Sequence, residues 1–211
     1  MAVFIAVAQL KGGSGKSTVA TNLAGYLAKE LKVGLIDADQ PQGTSASWAT
    51  LRAGDQLTLA TPHNAGELVQ AAQSLDSTCD VVIIDLPPRL HEISKAALII
   101  SDLVTIPVSG SAPEVWAVQD MLELISQAKE KAPKLKARLV WNKYRDTREQ
   151  NEIIGAVTKQ LGIKAMAAHL GNRAAYSAAI GRGLTVGEWP DQKARAEMAA
   201  LIQEIRKETK L

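Results

Sequence analysis

Residues 3–18 read VFIAVAQLKGGSGKST, an apolar run that breaks into three glycines, a lysine and two hydroxyl residues. VFIAVA has the uninterrupted apolar character of a strand covered on both faces. Gly12, Gly13 and Gly15 let the backbone curl so that its N–H groups converge on one point, with Ser14 inside the curl. A helix expected to start near Lys16 directs its positive end to the same point. Strand, glycine loop and helix in this order make a cradle for phosphate oxygens. Lys16 has the reach for β- and γ-phosphates, the Ser17 hydroxyl suits a Mg²⁺ ion, and Thr18 adds a donor. Counted from Gly12, the loop is one residue shorter than the general G-x-x-x-x-G-K-[ST] and reads K-G-G-x-G-K-[ST] instead. That leaves a second lysine, Lys11, at its front.

Outward from this loop, short apolar runs alternate with longer helical patterns. The expected strands are Val3–Ala8, Val33–Ile36, Leu57–Ala60, Val81–Ile84, Leu103–Val108 and Leu139–Trp141. Amphipathic segments lie near 17–31, 65–75, 114–130 and 147–161, and two more helical stretches follow residue 172. The alternation predicts an α/β fold, a doubly wound and mostly parallel sheet flanked by helices, in a single domain over 1–211. A chain of 211 residues suffices for one ample core, burying roughly 70% of its unfolded surface. Hydrophobic residues at 46% and charged residues at 22% argue against bulk disorder. The net charge of +2 gives no global pull toward nucleic acid, so any such binding needs a local patch. Cys79 is the only cysteine, which excludes an intrachain disulfide and fits a reducing compartment. The N-terminus lacks a basic leader, and no apolar stretch approaches the ~20 residues of a membrane span. A soluble, cytoplasmic protein is expected.

Open α/β sheets bind ligands at the carboxyl ends of their strands, and two further acidic motifs fall there. VVIIDLPP (81–88) is a buried strand delivering Asp85 toward a metal shell. LIDADQPQGTSASW (35–48) carries Asp37 and Asp39 on one face of an extended segment. Asp39 is assigned to positioning the attacking water, and Asp37 to the metal shell or to loop structure. Either acid could instead cap a helix beginning around Thr44.

The three motifs together resemble the ParA/MinD family of P-loop ATPases with a deviant Walker A motif, in particular the small ParA-type partition ATPases without an N-terminal DNA-binding domain. The resemblance extends over SDLVTIPVSGSAPEVWAV (101–118), LVWNKYRDTR (139–148) and RAAYSAAIGRGLTVGE (173–188), nearly the whole chain. It implies ATP and Mg²⁺ as cofactors, hydrolysis to ADP and phosphate, and Lys11, Lys16 and Asp39 as the catalytic set. Lys11 looks like the family's signature lysine, which crosses an ATP-dependent homodimer to the partner's nucleotide. Metal contacts fall to Ser17, Asp37 and Asp85. Asn142 is the candidate for adenine, its amide offering both a donor and an acceptor, although a polar residue ending a strand is also a common turn former. The run from Pro107 to Pro113 looks like the family loop packed near the nucleotide. One departure stands out: the family's D-x-D-P-Q-G carries an extra residue here, Gln40, which puts the path of the following loop in question.

Relatives hold DNA without sequence preference in the ATP-bound state. The resemblance therefore implies nonspecific duplex DNA and a ParB-like or other adaptor as partners, with nucleoid association in that state. The candidate DNA contacts are Lys136, Arg138, Lys143, Arg145, Arg148, Arg173 and Arg182, or else these residues form an ordinary solvated face. Plasmid or chromosome partition is the leading role, with positioning of a protein cargo by the same cycle as the alternative. A membrane-associated MinD-like regulator is a further alternative, but Ala194, Met198, Leu201, Ile202 and Ile205 read as the stripe of a packed helix rather than a stable anchor. A metabolic or metal-delivery enzyme is disfavoured by the lone Cys79, and His63, His91 and His169 show no ligand spacing.

Overall fold

The computed structural model describes residues 1–40, 42–52, 56–89, 92–109 and 112–211. Pro41, His91 and the middle of the Pro107–Pro113 run lie outside the described residues. The chain alternates strands and helices as β1 (Val3–Val7), α1 (Lys16–Leu27), β2 (Val33–Asp37), α2 (Thr44–Leu51), β3 (Leu57–Ala60), α3 (Ala65–Asp76), β4 (Val81–Asp85) and α4 (Glu92–Ile100). It continues as β5 (Leu103–Val108), α5 (Ala112–Lys131), β6 (Lys136–Tyr144), α6 (Arg148–Leu161), β7 (Ala165–Gly171), α7 (Ala174–Ile180), a 3₁₀ turn (Val186–Glu188) and α8 (Gln192–Thr209).

The seven strands form one sheet in the order β3-β2-β4-β1-β5-β6-β7, every pair parallel. β1 and β4 are central, so both their faces are covered and they read as unbroken apolar runs. The period of two splits their side chains. Phe4, Ala6, Val82 and Ile84 face the layer of α3, α4 and α5, whereas Ile5, Val7, Val81 and Ile83 face α1 and α8. Full burial of each large aliphatic side chain contributes about 1.5–3 kcal/mol. The stripe Ala194, Met198, Leu201, Ile202 and Ile205 of α8 is buried in this second layer, as its spacing predicts.

Three elements depart from the expectation. α4 and β7 are additional, and β6 extends beyond Leu139–Trp141 at both ends. β7 is an edge strand of sequence AMAAHLG, held largely from outside. Glu204 of α8 accepts hydrogen bonds from the backbone of Ala167 (2.8 Å) and Ala168 (2.7 Å), and Glu197 accepts one from Gly171 (2.9 Å). Carboxylates thereby satisfy edge N–H groups that would otherwise be open to another chain.

Candidate nucleotide site

The glycine loop spans from the end of β1 to α1, at the carboxyl end of the sheet's centre. Gly13 (φ 74°) and Gly15 (φ 96°) adopt the left-handed region, which side chains other than glycine rarely enter. At Gly15 a β-carbon would also collide with the Asn142 amide. The loop carbonyls are held by the end of β6, whose Asn142 and Lys143 also line the cavity in front of the loop. Asn142 Nδ2 donates to Ser14 O (2.8 Å), and Lys143 Nζ donates to Gly13 O (2.7 Å). Lys143 itself sits at φ 54°, a conformation costing a non-glycine residue about 1–2 kcal/mol. With the carbonyls drawn back, the loop's N–H groups are left to the front, the arrangement an anion requires.

In front of the loop lies a cavity of about 740 Å³. Gly12, Gly13, Gly15, Lys16, Ser17 and Thr18 form one wall, Asp39 and Gln42 another, and the segment Gly171–Ser177 between β7 and α7 closes a third. Within that third wall the sequence singles out only Arg173, and as a DNA contact rather than as part of this cavity. Lys16 is buried between two acids. Burial lowers its pKa, while Asp85 and Asp39 act to raise it. Asp39 lines the cavity with its pKa raised by burial, and Lys16 opposes that shift. Lys11, partly buried, precedes the residues of the wall.

Asp37 and Asp85 end adjacent strands and are paired in register. Asp37 is fully enclosed. Its Oδ1 accepts from Asp39 N (3.1 Å) and its Oδ2 from Ala46 N (2.7 Å). The N-cap of α2 is Gly43, which has no side chain to offer, so Asp37 supplies the capping carboxylate from a distance. Of the two roles expected for Asp37, these bonds serve loop structure. Gln40 is accommodated in a tight turn closed by Gly43 N donating to Asp39 O (2.9 Å), with Gly43 at φ 56°. Asp85, equally buried, accepts from the Ser45 hydroxyl at Oδ2 (2.7 Å), while its Oδ1 has no hydrogen-bond partner. Burial pushes its pKa up to about 7, against the pull of the Ser45 and Ser17 hydroxyls. An open carboxylate oxygen beside the Ser17 hydroxyl fits a hard cation with oxygen ligands. The described residues contain no group of three or more His, Cys, Asp or Glu side chains able to hold a metal. Any cation here would share its shell with phosphate, as Mg²⁺ does.

Residues 5–186 match the family model described as the CobQ/CobB/MinD/ParA nucleotide binding domain. The chain belongs to this family. This ParA/MinD-type domain is an ATP-binding ATPase. It is 34% identical over 187 residues to the "Maintenance of carboxysome distribution protein A" of Halothiobacillus neapolitanus, covering 86% of this chain and 85% of that protein. It is 28% identical over 205 residues to the "Protein ParA" of Rhizobium radiobacter, covering 94% and 90%. Among solved structures, an ATP complex of a Cyanothece McdA variant superimposes with a TM-score of 0.78 at 19% identity, covering 100% of this chain and 97% of that one.

The remaining expected residues separate. Asn142 lines the cavity and braces the loop, Nδ2 donating to Ser14 O and Oδ1 accepting from Lys143 N (2.9 Å), which leaves one N–H and one lone pair of its amide for a ligand. The basic set does not form one patch. Arg138 is forked onto Glu208 of α8 (2.8 and 2.9 Å), and Lys136 is bound to the same residue. Both lie at the amino end of β6, where five residues put Arg138 about 16 Å along the strand from Lys143. Arg145 and Arg148 are exposed near the carboxyl end. Arg173 is paired with Glu197 (2.6 Å), and Arg182 lies over the Trp189 ring at 4.8 Å.

Proposed function

We propose that this ATPase is a positioning device. ATP closes two copies around a pair of nucleotides, the closed dimer holds duplex DNA without sequence preference, and a ParB-like or other adaptor on the cargo stimulates hydrolysis and release. The observation that carries this reading is the second lysine, Lys11, immediately before a prebuilt phosphate loop. A cation there can neutralise charge on a triphosphate from across an interface. Lys16 grips the β- and γ-phosphates, the loop N–H groups orient them, and Asp39 holds the attacking water. Ser17 and Asp85 would hold Mg²⁺, which when bound neutralises charge on the phosphate oxygens.

Two relatives named for carboxysome distribution, at 34% and 31% identity, support a macromolecular cargo. A relative named as the chromosome-partitioning ATPase Soj, from Thermus thermophilus, is 33% identical over 165 residues and keeps DNA segregation as an alternative passenger. The burial of the α8 stripe removes that face from any membrane. No helix among the described residues is long and apolar enough to cross one. Arg145 is the best placed of the expected DNA contacts; Arg148 is as exposed but paired with Glu152 (2.8 Å), and Arg138 is the least well placed, because its guanidinium is engaged by Glu208 and half-buried.

The test is binding to nonspecific duplex DNA with ATP and with ADP at two salt concentrations, for the parent, Lys11→Ala and Arg145→Ala/Arg148→Ala. Binding that requires ATP, falls steeply with salt and is lost in Lys11→Ala is the expected result. No DNA binding in any nucleotide state rejects the nucleoid model and leaves the ATPase standing.

A further inference from the structure

α2 is fixed at both ends, by different parts of the molecule. At its carboxyl end, Trp48 Nε1 donates to Leu184 O (3.0 Å). Arg52 adds bonds to Gly183 O (3.1 Å) and Glu188 (2.8 Å). At its amino end the first turn is gripped by the two strand-end carboxylates, Asp37 through Ala46 N and Asp85 through the Ser45 hydroxyl. Asp39 stands one tight turn upstream of that first turn. Asp39 is tied to the same assembly through its backbone, its N–H donating to Asp37 Oδ1 and its carbonyl accepting from Gly43 N.

The two grips are not equivalent. The Asp37 bond is backbone to carboxylate and would survive any side chain but proline at position 46. The Asp85 bond depends on a side chain, Ser45, which is completely buried. It also lands on the carboxylate whose other oxygen, Oδ1, has no hydrogen-bond partner. A hydroxyl donating to Oδ2 fixes the rotation of the carboxyl group and so the direction of Oδ1. Partners of this kind orient metal-binding groups.

We propose that Ser45 is a positioning residue for ATP hydrolysis: its hydroxyl orients the open oxygen of Asp85 toward the cation side of the phosphate loop and ties α2, and with it Asp39, to that carboxylate. The inference rests on the proposed roles of Asp85 and Asp39. It adds that the two roles are mechanically joined through one hydroxyl. Ser45 is completely buried, does not line the cavity and acts through these two acids.

The test is Ser45→Ala, with Ser47→Ala, an exposed neighbour on the same helix, as control. Alanine is a better helix former than serine, so the fold is expected to persist. A fluorescent ADP analogue is titrated first without metal and then with MgCl₂, and ATP turnover is measured at saturating Mg²⁺. The expected result is unchanged metal-free affinity and a Mg²⁺ half-saturation raised on the order of tenfold. At saturating Mg²⁺, kcat falls by a similar factor with KM for ATP near the parental value. A purely structural role for Ser45 would leave the Mg²⁺ half-saturation alone. A half-saturation within about twofold of the parent, or a parallel loss of metal-free affinity, overturns the proposal. Asp85→Asn, measured alongside, separates the two layers. If it keeps the parental Mg²⁺ dependence, the metal role of Asp85 fails first.

Discussion

The carboxyl ends of β2 and β4 are neighbours in the sheet and differ in one respect. Asp37 and Asp85 are paired in register and both fully buried, yet each oxygen of Asp37 accepts a backbone N–H while Asp85 keeps one oxygen open. Depth alone therefore does not mark a chemical residue. Where each oxygen of a buried carboxylate already accepts a backbone N–H, as at Asp37, its bonds serve the backbone, here as the cap of a helix. One left half-satisfied carries a cost that folding tolerates only where something else will complete it.

The widest separation between the two should come from neutralising each in turn. Asp85→Asn is expected to lower Mg²⁺-dependent ATP turnover by about a hundredfold, without lowering the melting temperature of the ligand-free protein. Turnover near the parental level would erase the distinction.

The pH dependence of the ligand-free, metal-free protein tests the same point. The Asp85 carboxyl is raised from an ordinary 3.8 to about 7, so the folded state binds the proton more tightly than the unfolded chain. The sign follows: this group's penalty is absent below about pH 4, grows as pH rises, and is complete above about 7. Melting temperature should fall across that window in the parent and stay flatter in Asp85→Asn. Equal slopes would mean that Asp85 is not the group responsible.

Asp37→Asn should behave in the opposite way. An amide nitrogen would face the Ala46 N–H, donor against donor, at a cost of about 1–3 kcal/mol read by denaturant unfolding. Turnover should fall far less than in Asp85→Asn. The smallest effect concerns the other side of the loop. Lys143→Ala removes the bond to Gly13 O and should weaken nucleotide binding by about two- to tenfold, with kcat near parental.

Much of this was legible in the chain itself, and the exceptions have physical causes. The loop, the central strands and the packed stripe of α8 are each written in local spacing. β7 was not, because AMAAHLG has few β-branched residues and owes its edge position to Glu197 and Glu204 some thirty residues later. α4 is a nine-residue helix whose AALII stretch suits a buried strand equally well. Asp85 could be read from its apolar run, but Ser45 could not. A serine in a first helical turn is common, and only the fold brings it to a carboxylate forty positions away. Asn142 was read for its amide chemistry. Part of that chemistry is in use in bracing Ser14, a bond that only the fold reveals. Lys136 and Arg138 looked continuous with Lys143 because they are close in sequence, but β6 runs from Lys136 to Tyr144 and its length carries them to the other end of the sheet.

The struts from Asn142 and Lys143 also have a kinetic meaning. A glycine-rich loop left to itself samples many shapes, and a ligand must wait for, or impose, the right one. Here the loss of that freedom has already happened on folding, part of it stored as backbone strain at Lys143. Nucleotide arrival is then a matter of collision with a ready receptor, and the slow events of the cycle are left to the parts that move afterwards.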